Sequence, residues 1–342
     1  LVGMCFYLPY KVWPVVFFAV ALCAMVATVS CNKELQTALG GNTKTVFTVS
    51  AGDLATKTIA DGKNVNALHW EIYLTSNAAT AQNSLGKGVV IDTDGDKNFT
   101  VELDLVADQK YTIVFWAQAP GAPYTFVPDQ GTVKVDYSGA ANDELRDAFC
   151  QLHTFKVPDK ATFDETVYLR RPFAQINFGS DDFAQITELG LDMESTVQIN
   201  GLADTYDILK GVVSGNASTS FKLSTVPAQY DPAETLVVAG KDYGYVSMNY
   251  ILAPVNEFDA SGNVVVAASE LANVNATFAY NNDTVTLDVP NVPFQRNFRT
   301  NIIGSFFTDF LNSGAEIVTN IASGIGGAVD YVARAIGDVV NA

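Results

Sequence analysis

Cysteine and histidine are scarce in this chain, and their scarcity argues against two kinds of protein. The 342 residues include four cysteines and two histidines. Because Cys5, Cys23 and Cys31 all lie near the N-terminus, a mature chain that keeps only Cys150 could not form an internal disulfide. Zinc sites use three or four His, Cys or carboxylate ligands, so the sequence also lacks the residues for a histidine-rich zinc site.

Positive charge is in short supply as well. Lys and Arg number 20 against 37 Asp and Glu, which gives a formal net charge of -17. Such a surface repels phosphate groups, so we expect no nucleic-acid partner and no contact with anionic membranes except through a lipid. Charged residues make up only 17% of the chain, and this low share is typical of exported, β-rich proteins.

The chain also lacks the sequence motifs of common catalytic sites. It contains no glycine-rich phosphate loop and no nucleophile elbow. Cys150 and His153 could form a nucleophile–base dyad, but a spacing of three residues places them on opposite faces of a strand. Cys150 is therefore interpreted as a buried structural cysteine. We expect a protein that is not an enzyme, with no catalytic residue, no cofactor and no metal.

Two acidic clusters suggest ligand sites, although simpler interpretations are favoured. The segment DTDGDKN places Asp92, Asp94 and Asp96 at alternate positions, as in a calcium-binding loop. The glycine at position six and the glutamate at position twelve of an EF-hand are missing, so a solvated turn is favoured. Asp181 and Asp182 could belong to a hydrolase carboxylate pair, but adjacent carboxylates at this point more often cap a loop.

The N-terminal segment is predicted to be a lipoprotein signal peptide, residues 1–30. Its apolar run is shorter than the roughly 20 residues of a membrane span, and Lys11 precedes it. The run ends in Thr-Val-Ser-Cys31, which resembles the site at which bacterial lipoproteins receive diacylglycerol. Cys31 is therefore the predicted lipidation site. The alternative is a plain membrane anchor with an incidental cysteine.

The rest of the chain shows the pattern of a β-sandwich protein. In ALHWEIYL, the apolar Leu68, Trp70 and Ile72 share one face, and turn residues recur every 8–12 positions. The strand around Val114 is apolar on both faces, as expected for a central strand. Pro172 predicts an edge or a bulge within a strand. The predicted organisation is a linker at 31–45, β-sandwiches at 46–160 and 161–312, and a C-terminal tail at 313–342.

Smaller elements can be predicted as well. A short helix is expected in NDELRDAFC, and AYNNDTVTL predicts a hairpin that turns at Asn281 to Asp283. The tail has apolar residues at helical spacing, but Gly324, Gly326 and Gly327 interrupt it. The tail is therefore predicted to be a glycine-interrupted, possibly helical segment.

Several blocks together resemble the fimbrillin-like lipoproteins of Bacteroidales. They are ATKTIADGKNVNALHWEIY, YSGAANDELRDAFC, VYLRRPFAQINFGSDD, YGYVSMNYILAP and VPFQRNFRTNIIGSFFT. The resemblance implies a type V pilin or pilus-associated subunit with two transthyretin-like β-sandwiches. It further implies export to the outer membrane as a palmitate-bearing lipoprotein, with other pilin subunits as partners by strand exchange. In such assembly an unpaired sheet edge accepts a donor strand from a neighbour.

The resemblance also implies proteolytic removal of the N-terminal segment. Processing in this family often follows an arginine, whereas the first arginine here is Arg146. Lys44 and Lys57 are therefore the candidate processing sites, and the strand KTVFTVSAG is expected to fill the acceptor groove before cleavage. The donor is expected around residues 315–321, where β-branched residues are dense, or else the tail forms a helix on its own subunit. The alternative function is a non-polymerising surface lipoprotein that binds a glycan or another surface ligand.

Overall fold

The structure is a computed structural model, and it consists almost entirely of β-strands. It describes residues 42–51, 62–78, 84–139, 141–182, 193–223, 235–254, 257–258, 264–266, 270–280, 283–306, 316–320 and 330–334. Helix among these residues is limited to α1 (Thr75–Ala78) and a 3₁₀ turn (Glu144–Arg146). The predicted mainly-β fold class is confirmed.

The first half of the chain forms one sandwich and one extra hairpin. Its strands are β1 (Asn42–Ser50), β2 (Ala67–Leu74), β3 (Gly86–Ile91), β4 (Asn98–Val106), β5 (Lys110–Gln118), β6 (Tyr124–Val127), β7 (Thr132–Val135), β8 (Ala148–Lys156) and β9 (Thr162–Tyr168). A three-stranded sheet has the order β4-β1-β9, and a four-stranded sheet has the order β3-β2-β5-β8. Alternation explains the core between them: Leu68, Trp70 and Ile72 on β2 are all buried within it.

The second half forms a second sandwich with further strands added. Its strands are β10 (Phe173–Ser180), β11 (Met193–Leu202), β12 (Thr205–Asp207), β13 (Val212–Ser214), β14 (Ala217–Leu223), β15 (Thr235–Val238), β16 (Lys241–Leu252), β17 (Glu257–Phe258), β18 (Val264–Val266), β19 (Glu270–Tyr280), β20 (Asp283–Phe294), β21 (Arg299–Gly304), β22 (Glu316–Asn320) and β23 (Asp330–Arg334). One sheet has the order β15-β16-β10-β21-β22-β23, and the facing sheet has the order β14-β11-β19-β20.

The two sandwiches have the same strand order. Numbered one to seven within each half, and with the added strands left aside, both have one sheet of order 4-1-7 and a facing sheet of order 3-2-5-6. The directions agree too: strand one pairs parallel with strand seven, as β1 with β9 and β10 with β21. It pairs antiparallel with strand four in both halves. The chain therefore contains the same fold twice, although its sequence shows no repeat of fixed period.

A small sheet joins the two halves. Hairpin β6–β7 of the first half and hairpin β12–β13 of the second lie side by side in the order β13-β12-β7-β6. Strands β7 and β12 pair antiparallel, with Val133 opposite Tyr206. Both of these side chains are buried in the core of the second half. Main-chain pairing thus connects the halves at a place distant in sequence from the chain connection.

Strand β5 contributes to both hydrophobic cores. Ile113 and Phe115 are buried in the core of the first sandwich, whereas Val114 and Trp116 are buried in the larger core that includes the second sandwich. The opposite face of β5 therefore packs at the junction of the halves. This arrangement explains why both faces of the strand are apolar, as the sequence indicates.

Some local predictions need correction. Pro172 lies inside no strand, because β9 ends at Tyr168 and β10 begins at Phe173 in a different sheet. The short helix is a single 3₁₀ turn capped by Asp143, whose carboxylate accepts from the Leu145 N–H. The hairpin is confirmed, since β19 and β20 pair with Tyr280 opposite Asp283.

Of the two alternatives for the tail, strand or helix, the tail residues that the structure describes form strands. Strand β22 pairs antiparallel with β21, and β23 pairs antiparallel with β22. Three consecutive β-branched residues in β22, Ile317 to Thr319, favour a strand, and the glycines beyond them disfavour a helix.

The predicted domain limits stay a prediction. The limit at 160/161 would separate β9 from the sheet that it extends, because β9 pairs along its length with β1 and Val167 lies in the first core. We propose that the two units meet in the segment 169–172, which joins β9 to β10.

Candidate functional site

Strand β1 occupies a slot between two neighbours. It pairs antiparallel with β4 from Asn42 to Ser50 and parallel with β9 from Lys44 to Ser50. The parallel ladder begins where the Lys44 N–H donates to the Ala161 carbonyl and ends where the Leu169 N–H donates to the Ser50 carbonyl. Both edges of β1 are thus hydrogen-bonded, and removal of the strand would open a slot bounded by β4 and β9.

The inner face of β1 is part of the first core. Phe47 and Val49 are fully buried, and the Phe47 ring lies 5.0 Å from Phe155 and 5.9 Å from Phe115, measured between centroids. Burial of a phenylalanine side chain stabilises a fold by about 1.5–3 kcal/mol. At the start of the strand, the buried Thr43 hydroxyl donates to the Lys160 carbonyl at 2.8 Å. The slot is therefore an apolar groove that β1 fills closely.

The outer face of β1 carries Lys44, one of the candidate processing residues. Its Nζ lies 3.1 Å from Glu102 Oε2, and both side chains are about half exposed. Proteases bind their substrates as extended, hydrogen-bonded segments. Because the Lys44 N–H already bonds to Ala161, the folded strand does not offer this peptide bond to a protease. Lys57 and Cys31 lie outside the described residues, and their roles stay predictions.

Arg146, the first arginine of the chain, is buried. Only 2% of its surface is exposed, and its guanidinium donates to the main-chain carbonyls of Asp136 at 2.9 Å and Ser138 at 2.7 Å. The guanidinium also lies over the Phe221 ring, at 5.6 Å from the centroid. In the folded chain an arginine-specific protease has no access to this residue. The lysines nearer the N-terminus therefore stay the candidate processing sites.

Arg171 forms a buried clamp at the junction of the two halves. Its Nε lies 2.5 Å from Asp147 Oδ1 and its second nitrogen 2.8 Å from Oδ2, a two-bond pairing. A third bond, of 2.8 Å, reaches the Asn297 side chain, and the Phe149 ring lies 4.9 Å from the guanidinium carbon. The clamp thus ties β8 to the β20–β21 connection. Arg171 therefore has a structural role at the junction of the halves.

Cys150 and His153 do not meet. Cys150 is buried in the core that includes the second sandwich, where burial raises the pKa of its thiol to about 11. The His153 ring stacks on Phe155 and lies 3.1 Å from Glu165 across the other face of β8. A thiol with a raised pKa is a poor nucleophile near neutral pH. The two residues therefore form no catalytic dyad.

The Asp92 loop is tied by its own main chain. Asp92 accepts hydrogen bonds from the N–H groups of Asp94, Gly95 and Lys97 at 2.8–3.1 Å. Partial burial raises the pKa of Asp92, but these hydrogen bonds outweigh it and hold the pKa below its usual range. The carboxylates of Asp92, Asp94 and Asp96 lie close together in the turn between β3 and β4. Hydrogen bonds from the main chain thus hold the turn in place, and the expectation that it binds no metal stays a prediction.

Asp181 and Asp182 close the end of the second sandwich. Asp181 pairs with Lys241 and accepts from the Ser305 hydroxyl at 2.7 Å. Asp182 is buried, where it accepts from the Ser180 hydroxyl and from the Phe306 N–H. These bonds join the end of β10 to the residues after β21. The predicted loop cap is what the structure shows.

Residues 30–332 match the model of a family described as "Family of unknown function (DUF6562)". The chain belongs to this family. No curated protein matches the chain. In the described part of the chain no helix has the length and apolar character to cross a membrane.

Solved structures show a similar arrangement at low sequence identity. One is a fimbrial assembly protein from Parabacteroides distasonis, with a TM-score of 0.44, 13% identity, and coverage of 85% of this chain and 99% of that one. Another is described as a cell adhesion protein from Bacteroides uniformis, with a TM-score of 0.47, 14% identity and coverage of 82% and 96%. The tip fimbrial protein Mfa3 from Porphyromonas gingivalis matches with a TM-score of 0.45, 9% identity and coverage of 81% and 99%.

Two contacts were not predicted from the sequence: the pairing of β1 with β9, and the pairing of Asp147 with Arg171. The parallel partner β9 was assigned to the second sandwich, and Asp147 was not recognised as the partner of Arg171. A local signal existed for the second: the 3₁₀ turn ends at Asp147, directly before the strand that carries Phe149. No local signal identifies a parallel pairing between strands that are more than 100 residues apart.

Proposed function

We propose that this chain is a lipid-anchored, fimbrillin-like cell-surface protein that serves as a structural or accessory pilus subunit with a role in adhesion. The proposal rests on the sequence blocks that resemble fimbrillin-like lipoproteins. The observation that carries its mechanism is the position of β1, the first described strand, which is inserted between β4 and β9. A strand near the N-terminus can leave such a slot after a single cut, without threading of the chain.

The cut that would release β1 lies after Lys57. Cleavage after Lys44 would leave residues 45–50, including the buried Phe47, in the slot, whereas Lys57 follows the whole strand. An empty slot would expose apolar surface and two unpaired edges, so a strand from a neighbour would be bound strongly. The C-terminal segment around residues 315–321 is the donor in this proposal, and β22 would have to leave β21 of its own chain.

Limited trypsin treatment tests the assembly mechanism. We expect the full chain to form detergent-resistant oligomers after trimming, and a chain that ends at Phe310 to form none. Lys57→Gln combined with Lys63→Gln removes both lysines between β1 and β2 and should block the effect, whereas Lys44→Gln, within β1, is the control and should not. Equal assembly of the shortened chain would show that the tail is not the donor. Failure of both chains to assemble would favour an anchored accessory lipoprotein.

Lipid attachment at Cys31 is tested separately. Labelled fatty acid should be incorporated into the chain in a bacterial host that lipidates its lipoproteins. Cys31→Ala should abolish the label and release the protein from the membrane fraction. Cys150→Ala, at a buried position, is the matched control and should keep the label. Unchanged labelling of Cys31→Ala would contradict the anchor.

A second candidate is a surface lipoprotein that binds a glycan or another surface ligand without polymerising. One observation favours it: the chain is self-contained, because β1 fills its slot and β22 covers the edge of β21 in the same molecule. Under this hypothesis the purified chain remains monomeric after trimming and binds surface glycans as a monomer.

A further inference from the structure

The shared strand order allows a direct comparison of the outer edges of the two sandwiches. In the second sandwich, strand seven is β21, and its outer edge pairs with β22, which in turn pairs with β23. In the first sandwich, strand seven is β9, and none of the described strands pairs with its outer edge. The first sandwich thus presents the edge that the tail covers in the second.

We propose that the outer edge of β9 is an acceptor for the β22–β23 segment of a second copy of this chain. The inference rests on the proposed function, since it uses the tail as a donor strand. This inference differs from the proposed pilus mechanism in the acceptor. Here the donor strand pairs with the outer edge of β9, and β1 remains in its slot. Chains that have not been cut could therefore associate through this edge.

The hydrogen-bonding groups of the edge can be identified from the ladder on the other side. The Ala161 carbonyl and the Leu169 N–H bond to β1, so the odd-numbered residues of β9 face inward. The main-chain groups that face outward belong to Thr162, Asp164, Thr166 and Tyr168. The side chains of these four residues are all exposed, and that of Tyr168 retains 67% of its surface.

The edge lacks several devices by which proteins block strand addition. Strand β9 has no proline and no lysine, although it carries the acidic Asp164 and Glu165, and its seven residues pair with β1 without a bulge. Other outer strands have such devices: β20 contains Pro290 and Pro293, and β14 contains Lys222. An unbroken seven-residue strand is long enough to receive a five-residue donor such as β22.

The tail is the occupant that the chain itself provides. It already adds a two-stranded extension to strand seven of the second sandwich. Because β22 and β23 follow the last strand of the second sandwich, they can pass to another molecule without disturbing the strand order within either sandwich, which β15 cannot do. Exchange of an identical element between copies is a common route to association.

The test uses the full, untrimmed chain. Thr166→Pro removes one outward N–H from β9 and keeps every bond to β1. Thr100→Pro is the matched control on β4, the opposite edge of the same sheet, where even-numbered residues also face outward. Oligomers of the untrimmed chain should fall at least tenfold for Thr166→Pro and remain for Thr100→Pro. Equal oligomerisation of Thr166→Pro and the parent chain, or no oligomers of the parent chain, would overturn the proposal.

Disulfide trapping provides a second measurement that does not depend on proline. Chains with Thr166→Cys are mixed with chains that carry single cysteines at positions 316–320. Heterodimers should form at alternate positions, and Thr100→Cys should give none. Trapping with Thr100→Cys as readily as with Thr166→Cys, or with neither, contradicts the β9 acceptor.

The outcomes separate this inference from the proposed function. Oligomers that appear only after trimming and are unaffected by Thr166→Pro would support the pilus mechanism and contradict the β9 acceptor. Oligomers of untrimmed chains that vanish with Thr166→Pro, and also on removal of residues 313–342, would support the acceptor even if trimming adds nothing.

Discussion

The two sandwiches share one strand order but differ in the width of one sheet. The 4-1-7 sheet has three strands in the first half, whereas its counterpart in the second half has six, because β15 and the tail strands extend its two edges. Strand order depends on which faces are apolar and on how the chain crosses between sheets. Edge protection is a separate property that each copy of a fold can acquire independently. Among the described strands, the first sandwich is therefore the half whose 4-1-7 sheet has no added strand at either edge.

The strongest test of the equivalence compares the first strand of each half. Phe47 on β1 and Phe178 on β10 are both fully buried, and Phe178 lies 5.8 Å from Phe278 between ring centroids. Truncation of a buried phenylalanine to alanine costs about 3–5 kcal/mol. We expect Phe47→Ala and Phe178→Ala each to lower the free energy of unfolding by about this amount in denaturant titrations.

The same experiment asks whether the halves unfold together. Because the β7–β12 pairing and the Arg171 clamp join them, both variants should shift one common transition. Two separate unfolding transitions, each shifted by only one of the variants, would show that the halves unfold independently. A negligible effect of Phe178→Ala would show that the face of β10 has been assigned incorrectly.

The clamp at the junction should give the next largest effect. Arg171→Met leaves the Asp147 carboxylate, which is 1% exposed, without its cation, and such a loss costs about 3–5 kcal/mol. Asp147→Leu combined with Arg171→Met should recover much of the loss, since neither charge of this buried pair then remains. Lys44→Met, which breaks the exposed pair with Glu102, should cost less than about 1 kcal/mol. Equal effects of Arg171→Met and Lys44→Met would contradict the assignment of the clamp.

The smallest effect concerns the turn between strands three and four of the first sandwich; the corresponding connection of the second contains β15. Asp92→Asn weakens three charge-assisted hydrogen bonds, and we expect a loss of roughly 1 kcal/mol. The pKa of Asp92 is lowered in the folded chain, so its stabilisation is present above the unfolded value of about 3.9. It is lost as the pH falls through the lower folded pKa.

The pH dependence provides the check on that turn. Stability of the parent chain and of Asp92→Asn should differ at pH 6 and converge as the pH falls below about 4. Asp104→Asn, at an exposed position on β4, is the control and should change stability little at any pH. A difference that persists unchanged at low pH would mean that the turn depends on shape rather than on charge.

Local patterns in the sequence were sufficient to predict individual strands and their faces. Leu68 and Trp70 are buried as the alternation of β2 predicts, and the two apolar faces of β5 reflect its place between two cores. Pairings between distant segments were not predictable in this way. Strands β7 and β12 have only four and three residues, and about 70 residues separate them, so neither shows a pattern that selects the other.

The slot of β1 also shows that single strands were predictable from the sequence and distant pairings were not. The sequence of β1 predicts a strand near the N-terminus, but not that β9 would be its parallel partner. The block VYLRRPFAQINF reads as one continuous strand, whereas Pro172 separates β9 and β10, which belong to different sandwiches. The shared strand order was not visible in the sequence because different residues can give the same pattern of buried and exposed positions.

The four-stranded sheet between the halves has a mechanical consequence. The halves are held by the chain segment between β9 and β10, by the Arg171 clamp and by the β7–β12 ladder, so their junction has more than one attachment. A joint fixed at several separated places resists bending in a way that a single linker does not. A force that pulls the two halves apart would therefore be shared among these attachments, rather than acting on one linker alone.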